Sequence, residues 1–494
     1  MEIELKLLVD PADADRLLRA LPSVEKGSQQ KKHLENIYFD TPDRQLQGAR
    51  IGLRLRRDGE RWLQTLKGGG WDAAGGLHAR QEIEYPGAGP QLSFAGLAGT
   101  VWARYFSPVL AASLKPVFHT DFHRAVCRVR LEGAEIEVAL DRGEVRAGDA
   151  SEPICELELE LLSGPVVALF SLARQLLDVA PLRLENASKA ERGYRLACGI
   201  ALAAPQKAAP VVLDQQISLR DAFIRITQSM LGQLQANEAG FLLQPGEIEY
   251  LHQLRVAVRR LRAWFSVFGN GLLPDDDLAW FRGELRWLGC TLGDARDWDV
   301  LLASVWPEAS AAFASHPAAP VLANYAATAA ADARSDARSA LETCRYQALL
   351  LALGRQCALL ADTVTGGPLL PYVVNALEAN DQRLRKRLQR IDPADVDALH
   401  RTRILLKRQR YVLDATASLF HGKRFDSYSK WLHVWQERLG QGNDLQRAAS
   451  HLKSLRTRVT SMDEAELCGL LQGWLRGAAR MTPVLQHPPR PFWK

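Results

Sequence analysis

The 494-residue sequence lacks several features that would place it in a membrane, secreted or metal-finger class of protein. No apolar run approaches the ~20 residues of a membrane-spanning helix, so we expect no membrane span. The chain begins with a strand-like segment and not with a signal peptide, so we expect no secretion by that route. Its seven cysteines are an odd number without C-x-x-C spacing, which argues against a disulfide framework or a cysteine zinc site. Scattered thiols are typical of a reducing compartment, and we therefore expect a cytoplasmic protein.

Signatures of nucleotide and nucleic-acid binding are also missing. No glycine-rich phosphate loop precedes a lysine, as it would in a P-loop. The sequence has no helix-turn-helix or RNA-binding motif, so nucleic acid is a distant option, although basic helices can bind phosphates. At 494 residues the chain should form more than one domain.

The first residues alternate charged and apolar side chains. Glu2, Glu4 and Lys6 share one face of the predicted strand, roughly 6–7 Å apart, and leucines occupy the other face. Carboxylates at this spacing suit a divalent cation, and the lysine suits a phosphate oxygen. A half-exposed strand with a solvated charged face is the alternative.

The same alternation recurs along the first 165 residues, between turn residues such as Asp58-Gly59 and Glu132-Gly133. It is found at 53–56, 65–67, 80–84, 128–131, 135–141 and 156–161. Such segments predict antiparallel hairpins. If the sheet closes on itself, either the leucines fill the lumen, or they pack outward under helices and the charges line a polar tunnel. Periodicity cannot choose between these arrangements. The segregation of arginine pairs from carboxylate pairs favours the tunnel, since arginine binds phosphate and carboxylates bind Mg²⁺ or Mn²⁺.

These segments together resemble the CYTH, or triphosphate tunnel metalloenzyme, superfamily over about the first 200 residues. The opening Glu2–Lys6 has its ExExK signature. Other pieces follow in the family's order: Tyr38–Thr41, Leu53–Arg56, Thr65–Lys67, His78–Glu82, Phe122–Arg124, Ala139–Asp141, Glu156–Glu160 and Ser188–Tyr194. The resemblance implies an eight-stranded antiparallel tunnel that acts on triphosphates with Mg²⁺ or Mn²⁺.

The resemblance and the chemistry of the side chains together nominate the site residues. We expect divalent metal to be held by Glu2, Glu4, Glu156 and Glu158, with Asp141 and Glu82 as helpers or second-site ligands. We expect the triphosphate to be bound by Lys6, Arg54, Arg56, Lys67, Arg80, Arg124 and Lys189, of which Lys6, Lys67, Arg54 and Arg56 are the candidate catalytic residues. Lys6 could alternatively tune the carboxylates, and no protein general base is assigned.

A proline-bearing linker rich in small residues, Ala203–Pro210, precedes a change of texture. Up to residue 209, 27 Lys+Arg stand against 28 Asp+Glu, whereas from residue 210 on 35 stand against 29. Apolar residues at helical spacing predict that this basic half is nearly all α-helix.

The second half contains an internal repeat. A cationic stripe at offsets i, i+3, i+7 and i+10 occurs twice, as His252, Arg255, Arg259 and Arg262 and as His400, Arg403, Lys407 and Arg410. Each stripe precedes an aspartate, Asp297 or Asp444, by similar separations. The pattern resembles the CHAD domain, a two-repeat helical module associated with inorganic polyphosphate, over about residues 214–485. The resemblance therefore implies that these eight side chains form a polyphosphate-binding groove. We expect the two aspartates to hold arginines in place.

The fold class expected is α+β, with a CYTH-like tunnel at 1–200, a linker at 201–213, a CHAD-like two-repeat domain at 214–485 and a loose tail at 486–494. The expected function is a metal-dependent inorganic triphosphatase that hydrolyses tripolyphosphate to pyrophosphate and phosphate, with an accessory domain for polyphosphate. The alternatives are a non-catalytic polyphosphate-binding or targeting protein, a class IV-type adenylate cyclase and a thiamine triphosphatase. The sequence does not reveal the oligomeric state.

Overall fold

The computed structural model describes residues 2–72, 75–87, 89–200, 202–363, 367–392, 395–479 and 487–493. The chain divides into two compact units. We call the first the tunnel unit; it runs up to Ala204 and includes Thr343–Leu359. We call the second the helical unit; it holds Pro205–Glu342 and the chain from Leu360 on.

Within the described residues, the tunnel unit has nine strands in one antiparallel sheet. They are β1 Glu2–Val9, β2 Gln30–Asp40, β3 Gly52–Asp58, β4 Arg61–Asp72, β5 Leu77–Gly87, β6 Lys115–Leu131, β7 Ala134–Ala147, β8 Ala150–Ser163 and β9 Leu182–Leu184. Their order is β5-β4-β3-β2-β6-β7-β8-β1-β9, and β1 also pairs with β5, with Glu2 opposite Arg80. Eight strands therefore close into a barrel, and the predicted eight-stranded antiparallel tunnel is confirmed.

The strand faces are arranged as in the second of the two alternatives. The leucines point outward: Leu53, Leu55 and Leu66, each fully buried, pack against Leu97 and Trp102 from the segment that follows β5. The charged residues that alternate with them line an interior cavity. Burying the leucines outside stabilises the barrel while leaving its lumen polar.

Helices complete the tunnel unit. They are α1 Ala14–Arg19, α2 Gln45–Gly48, α3 Pro108–Ser113, α4 Val167–Val179 and α5 Lys189–Ala197. Helix α4 packs on the outer faces of β1 and β8. Helix α5 packs against β6, β7 and β8, and its Tyr194 meets Phe118 edge-on at 5.1 Å, while Tyr38 stacks on the same ring at 4.4 Å. Ser188 and Glu191 form a capping box that fixes the start of α5, where Lys189 lies.

Most of the remaining described chain is helical. The helices are α6 Leu219–Leu243, α7 Ile248–Phe268, α8 Asp275–Val300, α9 Trp306–Ala312, α10 Ala319–Leu341, α11 Cys344–Ala361, α12 Leu369–Leu388, α13 Val396–Ala415, α14 Lys423–Leu455 and α15 Met462–Ala479. In the helical unit, α6, α7, α8 and α10 pack in sequence, as do α12, α13, α14 and α15. Helix α7 packs against α13, and α8 against α14. The two predicted repeats therefore bring their cationic helices, α7 and α13, together.

Most of α11 belongs to the tunnel unit, so the helical stretch expected over 214–485 is interrupted in space. Gln347 on α11 accepts a hydrogen bond from the backbone N–H of Leu184 on β9, at 3.1 Å. Gly354 lies against Phe170 of α4, and a Cβ built at this glycine would be 2.5 Å from the ring. A helix remote in sequence therefore covers the outside of the barrel.

The C-terminal residues differ from the loose tail expected over 486–494. Residues 486 and 494 lie outside the described chain, but 487–493 are packed. Arg385 donates to the carbonyl of Pro488 at 3.1 Å, and Phe492 lies edge-on against Phe420 at 4.9 Å and Phe425 at 5.2 Å. Packing of aromatic rings holds this segment in place. The proline content of the sequence does not predict this packing.

Candidate active site and anion-binding cluster

The barrel encloses a polar cavity of about 670 Å³. Its lining carries nine carboxylates and nine cationic side chains: Glu2, Glu4, Asp58, Glu82, Glu84, Glu137, Glu158, Glu160 and Glu191, with Lys6, Lys32, Arg50, Arg54, Arg56, Lys67, Arg80, Arg124 and Lys189. All of the predicted tunnel residues except Asp141 and Glu156 belong to this lining.

The acidic wall is formed by three neighbouring strands. Glu4 on β1 lies opposite Glu160 on β8, and Glu160 lies opposite Glu137 on β7. Burial, and then repulsion from Glu2 and Glu137, raises the pKa of Glu160 to about 7. Glu160 therefore lies in a carboxylate-rich region in which Lys6 and Lys67 pair with Glu4 and Glu2.

A second acidic group lies beneath the lining and is neutralised. Asp141, Glu156 and Glu158 have ligand atoms within 4.8 Å of one another, and the first two are fully buried. Lys189 reaches all three carboxylates, with Nζ 2.6 Å from Asp141 and 3.0 Å from Glu158.

Two further cations complete this second group. Arg124 forms a two-point pair with Asp141, both contacts at 2.7 Å, and also reaches Glu158. Lys6 Nζ lies 2.5 Å from Glu158 and 3.1 Å from Glu4. Burial alone would raise the pKa of Glu158, but Lys189 and Lys6 hold it well below its usual range.

Lys67 links the acidic wall to the neighbouring strands. Its Nζ lies 2.7 Å from Glu2 and 2.9 Å from Glu82. Arg54 approaches Glu82 at 3.5 Å, and Thr65 donates to Glu84 at 2.9 Å. Although burial would raise the pKa of Glu82, Lys67 and Arg54 lower it. Glu82 is therefore held by cations as an ion-pair partner.

The cationic wall has unused capacity for an anion. The Nε of Arg54 is buried without a hydrogen-bond partner among the described residues. Arg56 donates to Asn36 at 2.8 Å, but burial and repulsion from Arg54 lower the pKa of Arg56 to about 10. A bound anion would relieve this repulsion and use the free donor.

Sequence reasoning missed several members of these groups. Glu160 and Glu137 continue the alternation of their strands but are not among the predicted metal ligands. Arg192 was missed because its role depends on tertiary contacts: it donates to Glu152 at 2.7 Å and to Glu156 at 3.2 Å. The reach of Lys189 to the β7 and β8 carboxylates was equally invisible in local sequence.

The helical unit contains a second charged cluster, between α7, α8, α13 and α14. Asp297 on α8 pairs with Arg255 on α7 at 3.4 Å and with Arg447 on α14, so one carboxylate joins the two repeats. Gly293 makes room for the first pair, because a Cβ there would be 2.0 Å from the Arg255 guanidinium. This explains the glycine that lies four residues before Asp297 on α8.

Uncompensated positive charge surrounds Lys407 in this cluster. Burial and repulsion from Arg403 and Arg259 lower the pKa of Lys407 to about 6, and burial lowers the pKa of Arg403 to about 10. Within the described chain, Arg259 Nε, Arg403 Nε and Arg296 Nη1 are buried without hydrogen-bond partners. Several buried guanidinium N–H groups that have no acceptor define a site suited to an anion.

The other predicted groove residues lie at varying distances from this centre. The pKa of His252 is lowered by burial and by Arg296, and that of His400 by burial and by Arg403. His400, Arg403 and Asn443 line one small cavity. Arg410 is paired with Asp414 at 3.1 Å along its own helix, and Arg262 is exposed. Arg296 and Arg447 were not predicted, although both lie one turn or less from the repeated aspartates.

The fold and its lumen define a class of protein: a closed antiparallel barrel whose interior opposes a carboxylate wall to a cationic wall. The comparisons agree, since residues 1–194 match the family model of the CYTH domain and residues 225–453 that of the CHAD domain. The chain therefore consists of a CYTH domain followed by a CHAD domain, and the predicted resemblances are confirmed.

Two similar proteins extend this comparison. A curated protein from Haemophilus influenzae, named inorganic triphosphatase, is 36% identical over 196 residues, which cover 40% of this chain and 54% of that protein. The match thus spans about half the length of this relative. The crystal structure of the CHAD domain from the plant Ricinus communis is 32% identical, with a TM-score of 0.52; the match covers 58% of this chain and 99% of that one. Among the described residues, no helix has the length and apolarity needed to cross a membrane.

Proposed function

We propose that the tunnel unit hydrolyses inorganic tripolyphosphate to pyrophosphate and phosphate with a divalent cation, and that the helical unit binds longer polyphosphate. The observation that carries this proposal is the opposition of two walls in one cavity. The carboxylate-rich wall around Glu160 suits a cation, and the unpaired Nε donor of Arg54 suits a polyanion. The name of the Haemophilus influenzae relative supports the same activity.

The metal fits best at Glu2, Glu4 and Glu160, with Glu137 beside them. All four line the cavity and offer the hard oxygen ligands that Mg²⁺ or Mn²⁺ prefers. Burial, and then repulsion from Glu2 and Glu137, raises the pKa of Glu160, and a bound cation would offset both effects. A bound divalent cation would neutralise phosphate charge and polarise the scissile phosphoryl group.

We assign a positioning role to Asp141, Glu156 and Glu158, which the sequence had nominated as metal ligands. Their negative charge is already balanced by Lys189, Arg124 and Lys6. Displacing those cations would leave them buried and unpaired, which is costly. The three carboxylates instead aim Lys189 and Arg124 at the lumen.

The cationic side chains bind and orient the substrate. Arg54, Arg56, Arg80 and Arg124 present planar forks of donors that match phosphate oxygens, and Lys67 and Lys189 add point charges. Phosphoryl transfer mainly requires this positioning and charge neutralisation, with water attacking in line with the leaving pyrophosphate. Lys6, tied to Glu4 and Glu158, tunes the acidic wall.

The aromatic lining argues for an inorganic substrate over ATP or thiamine triphosphate. Tyr38 and Tyr194 both pack on Phe118, and Phe122 faces the ammonium of Lys189 at 5.0 Å. These rings are engaged with each other and with cations, and each is at most 5% exposed, so among the described residues they present little accessible face to a base or a thiamine ring.

The test is phosphate release from tripolyphosphate with and without Mg²⁺, beside ATP, thiamine triphosphate and long-chain polyphosphate. We expect fast, metal-dependent release from tripolyphosphate and slow release from ATP. Glu4→Gln should reduce turnover by at least 100-fold with the fold intact, because it removes one metal ligand. Glu60→Gln, an exposed turn carboxylate, is the control and should retain full activity.

Other outcomes would identify the alternatives. Cyclic AMP formed from ATP would make the tunnel an adenylate cyclase, and preferential release from thiamine triphosphate would make it a thiamine triphosphatase. No hydrolysis, with polyphosphate still retained, would leave a binding or targeting protein. Turnover unchanged in Glu4→Gln would contradict the metal assignment.

The polyphosphate site is proposed on the described cluster of the helical unit. Arg255, Arg259, Arg403 and Lys407 come from facing helices of the two repeats, and two of these arginines have buried donors without partners. His252 and His400 lie at its edge, whereas Arg262 and Arg410 would contact a chain that extends along α7 and α13. A polyanion is the ligand class that satisfies so many donors at once.

A further inference from the structure

Two neighbouring strands carry a block of metal-binding side chains on the outside of the barrel. In the register of β2 and β6, His33 lies opposite His123 and Glu35 lies opposite Asp121. Residues two apart on a strand share a face, so all four side chains project from one patch. Their neighbours Leu34 and Phe122 point to the lumen, which places this patch on the opposite surface.

Three of these side chains bring their ligand atoms together, and His123 stacks beside them. His33 Nε2 lies 2.6 Å from Asp121 Oδ1, and the rings of His33 and His123 stack with centroids 4.6 Å apart. Ligand atoms of His33, Glu35 and Asp121 all lie within 4.8 Å of one another. The side chains of His33 and Asp121 are 48% and 42% exposed, so an ion can reach them from solvent.

We propose that this patch is a binding site for a transition-metal ion of the zinc class, held by His33, His123, Asp121 and Glu35. A tetrahedral site with bonds of ~2.0–2.1 Å places its ligand atoms about 3.4 Å apart. His33, Glu35 and Asp121 already bring ligand atoms within 4.8 Å of one another, and His123 would supply the fourth by rotating out of its stack with His33. Two imidazoles with two carboxylates suit Zn²⁺, Co²⁺, Ni²⁺ or Cu²⁺, whereas Mg²⁺ prefers oxygen alone. The patch therefore differs in chemistry from the all-carboxylate wall of the lumen.

The contacts that an ion must replace are weak ones. Glu35 pairs with Arg57 at 3.2 Å between two half-exposed side chains, and solvent-exposed pairs of this kind contribute little. The hydrogen bond between His33 and Asp121 would be exchanged for two bonds to the ion. The bound ion would join β2 to β6, so it should also raise the thermal midpoint of the protein.

The experiment measures Co²⁺ absorption and Zn²⁺ equilibrium dialysis on the full chain carrying Glu4→Gln, which weakens the tunnel metal site. We expect one ion at micromolar affinity with the visible bands of a four-coordinate Co²⁺ site, and a raised thermal midpoint with Zn²⁺. Adding His33→Gln and His123→Gln should weaken this binding at least tenfold and remove the bands. Asp121→Asn, which preserves the shape of the side chain, should weaken the binding to a smaller extent.

His119→Gln is the matched control, since His119 lies on the same face of β6 but opposite Ile37. It should bind Zn²⁺ as the parent does. The proposal is overturned if the parent binds no Zn²⁺ at these concentrations, or if the double histidine variant binds it equally well, as it would if exposed thiols were the ligands. Circular dichroism of each variant confirms that the barrel is folded.

Discussion

Lys407 shows how a single buried amine can report the state of the helical unit. Its pKa of about 6 reflects burial and the neighbouring Arg403 and Arg259, whereas in the unfolded chain it would titrate near 10.5. Between these values the unfolded chain binds one more proton than the folded chain. The stability of the unit should therefore rise with pH between about 6 and 10.5, by at most about 1.4 kcal/mol per pH unit.

Lys407→Met tests this assignment. The substitution removes the amine that must release its proton on folding, so it should flatten the pH dependence of unfolding and raise stability at pH 7. It should also weaken polyphosphate binding. In the parent, a bound polyanion restores the charge of Lys407, so calorimetry at pH 7.5 in buffers of different ionisation enthalpy should show uptake of about one proton, absent in the variant.

The control is Lys453→Met, which removes an exposed lysine of α14. It should leave both the pH profile and the proton uptake unchanged. Equal proton uptake by the parent and by Lys407→Met would contradict the role given to this amine.

Removing a carboxylate should have opposite effects on stability in the two acidic groups of the barrel. Asp141→Asn breaks the pair with Arg124 and Lys189 in a fully buried site, which should cost about 3–5 kcal/mol of unfolding free energy. Glu160→Gln removes a repelled carboxylate, so it should leave the metal-free protein equally or more stable while weakening Mg²⁺ binding. Denaturant unfolding and Mg²⁺ titration of both variants measure the contrast. A stable Asp141→Asn variant with lost Mg²⁺ binding would reverse our assignment.

At the scale of elements, the sequence predicted the strands well because their alternation is regular. It could not decide which face of β1 was interior, because Leu5 and Leu7 would satisfy either a filled or a polar barrel. That choice depends on the covering elements, α4 and the segment after β5, whose contacts are long-range. The ion pairs of Glu158 were unpredictable for the same reason, since Lys189 arrives from a helix after β9.

Helix α11 is the element that sequence order concealed most completely. Its composition resembles that of its helical neighbours, and nothing local marks it as part of the tunnel unit. Its buried face, including Leu349, Leu350 and Leu353, and its contact with Phe170 explain the placement. A fragment that ends at residue 204 would expose the surface that α11 covers.

Gly354→Ala tests this packing. The added Cβ would meet Phe170 at 2.5 Å, so the variant should be destabilised by about 1–3 kcal/mol through overpacking. The loss of stability should appear in the unfolding of the tunnel unit. Hydrogen exchange of the β1 and β9 amides measures it, and their protection should fall. Gly469→Ala on α15, where the space is open, should be neutral or slightly stabilising. Equal behaviour of the two variants would remove α11 from the tunnel unit's core.

At the scale of the whole molecule, the net charge of +5 conceals two different distributions. The lining of the tunnel cavity has as many acidic as basic side chains, with most of the acidic ones on β1, β7 and β8. The cluster of the helical unit, in contrast, is mainly cationic. The first arrangement suits a metal together with a short polyanion, and the second suits a polyanion alone. The two sites should therefore be separable by substitution and should differ in their response to salt.

We expect the fourfold variant Arg255→Gln, Arg259→Gln, Arg403→Gln and Lys407→Gln to lose retention of long-chain polyphosphate while its hydrolysis of tripolyphosphate continues at the parent rate. Retention by the parent should weaken steeply as salt rises from 0.05 to about 0.5 M, because ions screen the attraction. Neutralising four exposed cations of the same unit, Arg286, Lys423, Arg424 and Arg476, removes the same number of basic side chains and should alter retention little. Glu4→Gln should show the converse, with hydrolysis lost and retention kept. If the control variant lost retention as fully as the cluster variant, net charge alone would explain binding, and the buried donors of Arg259 and Arg403 would need another role.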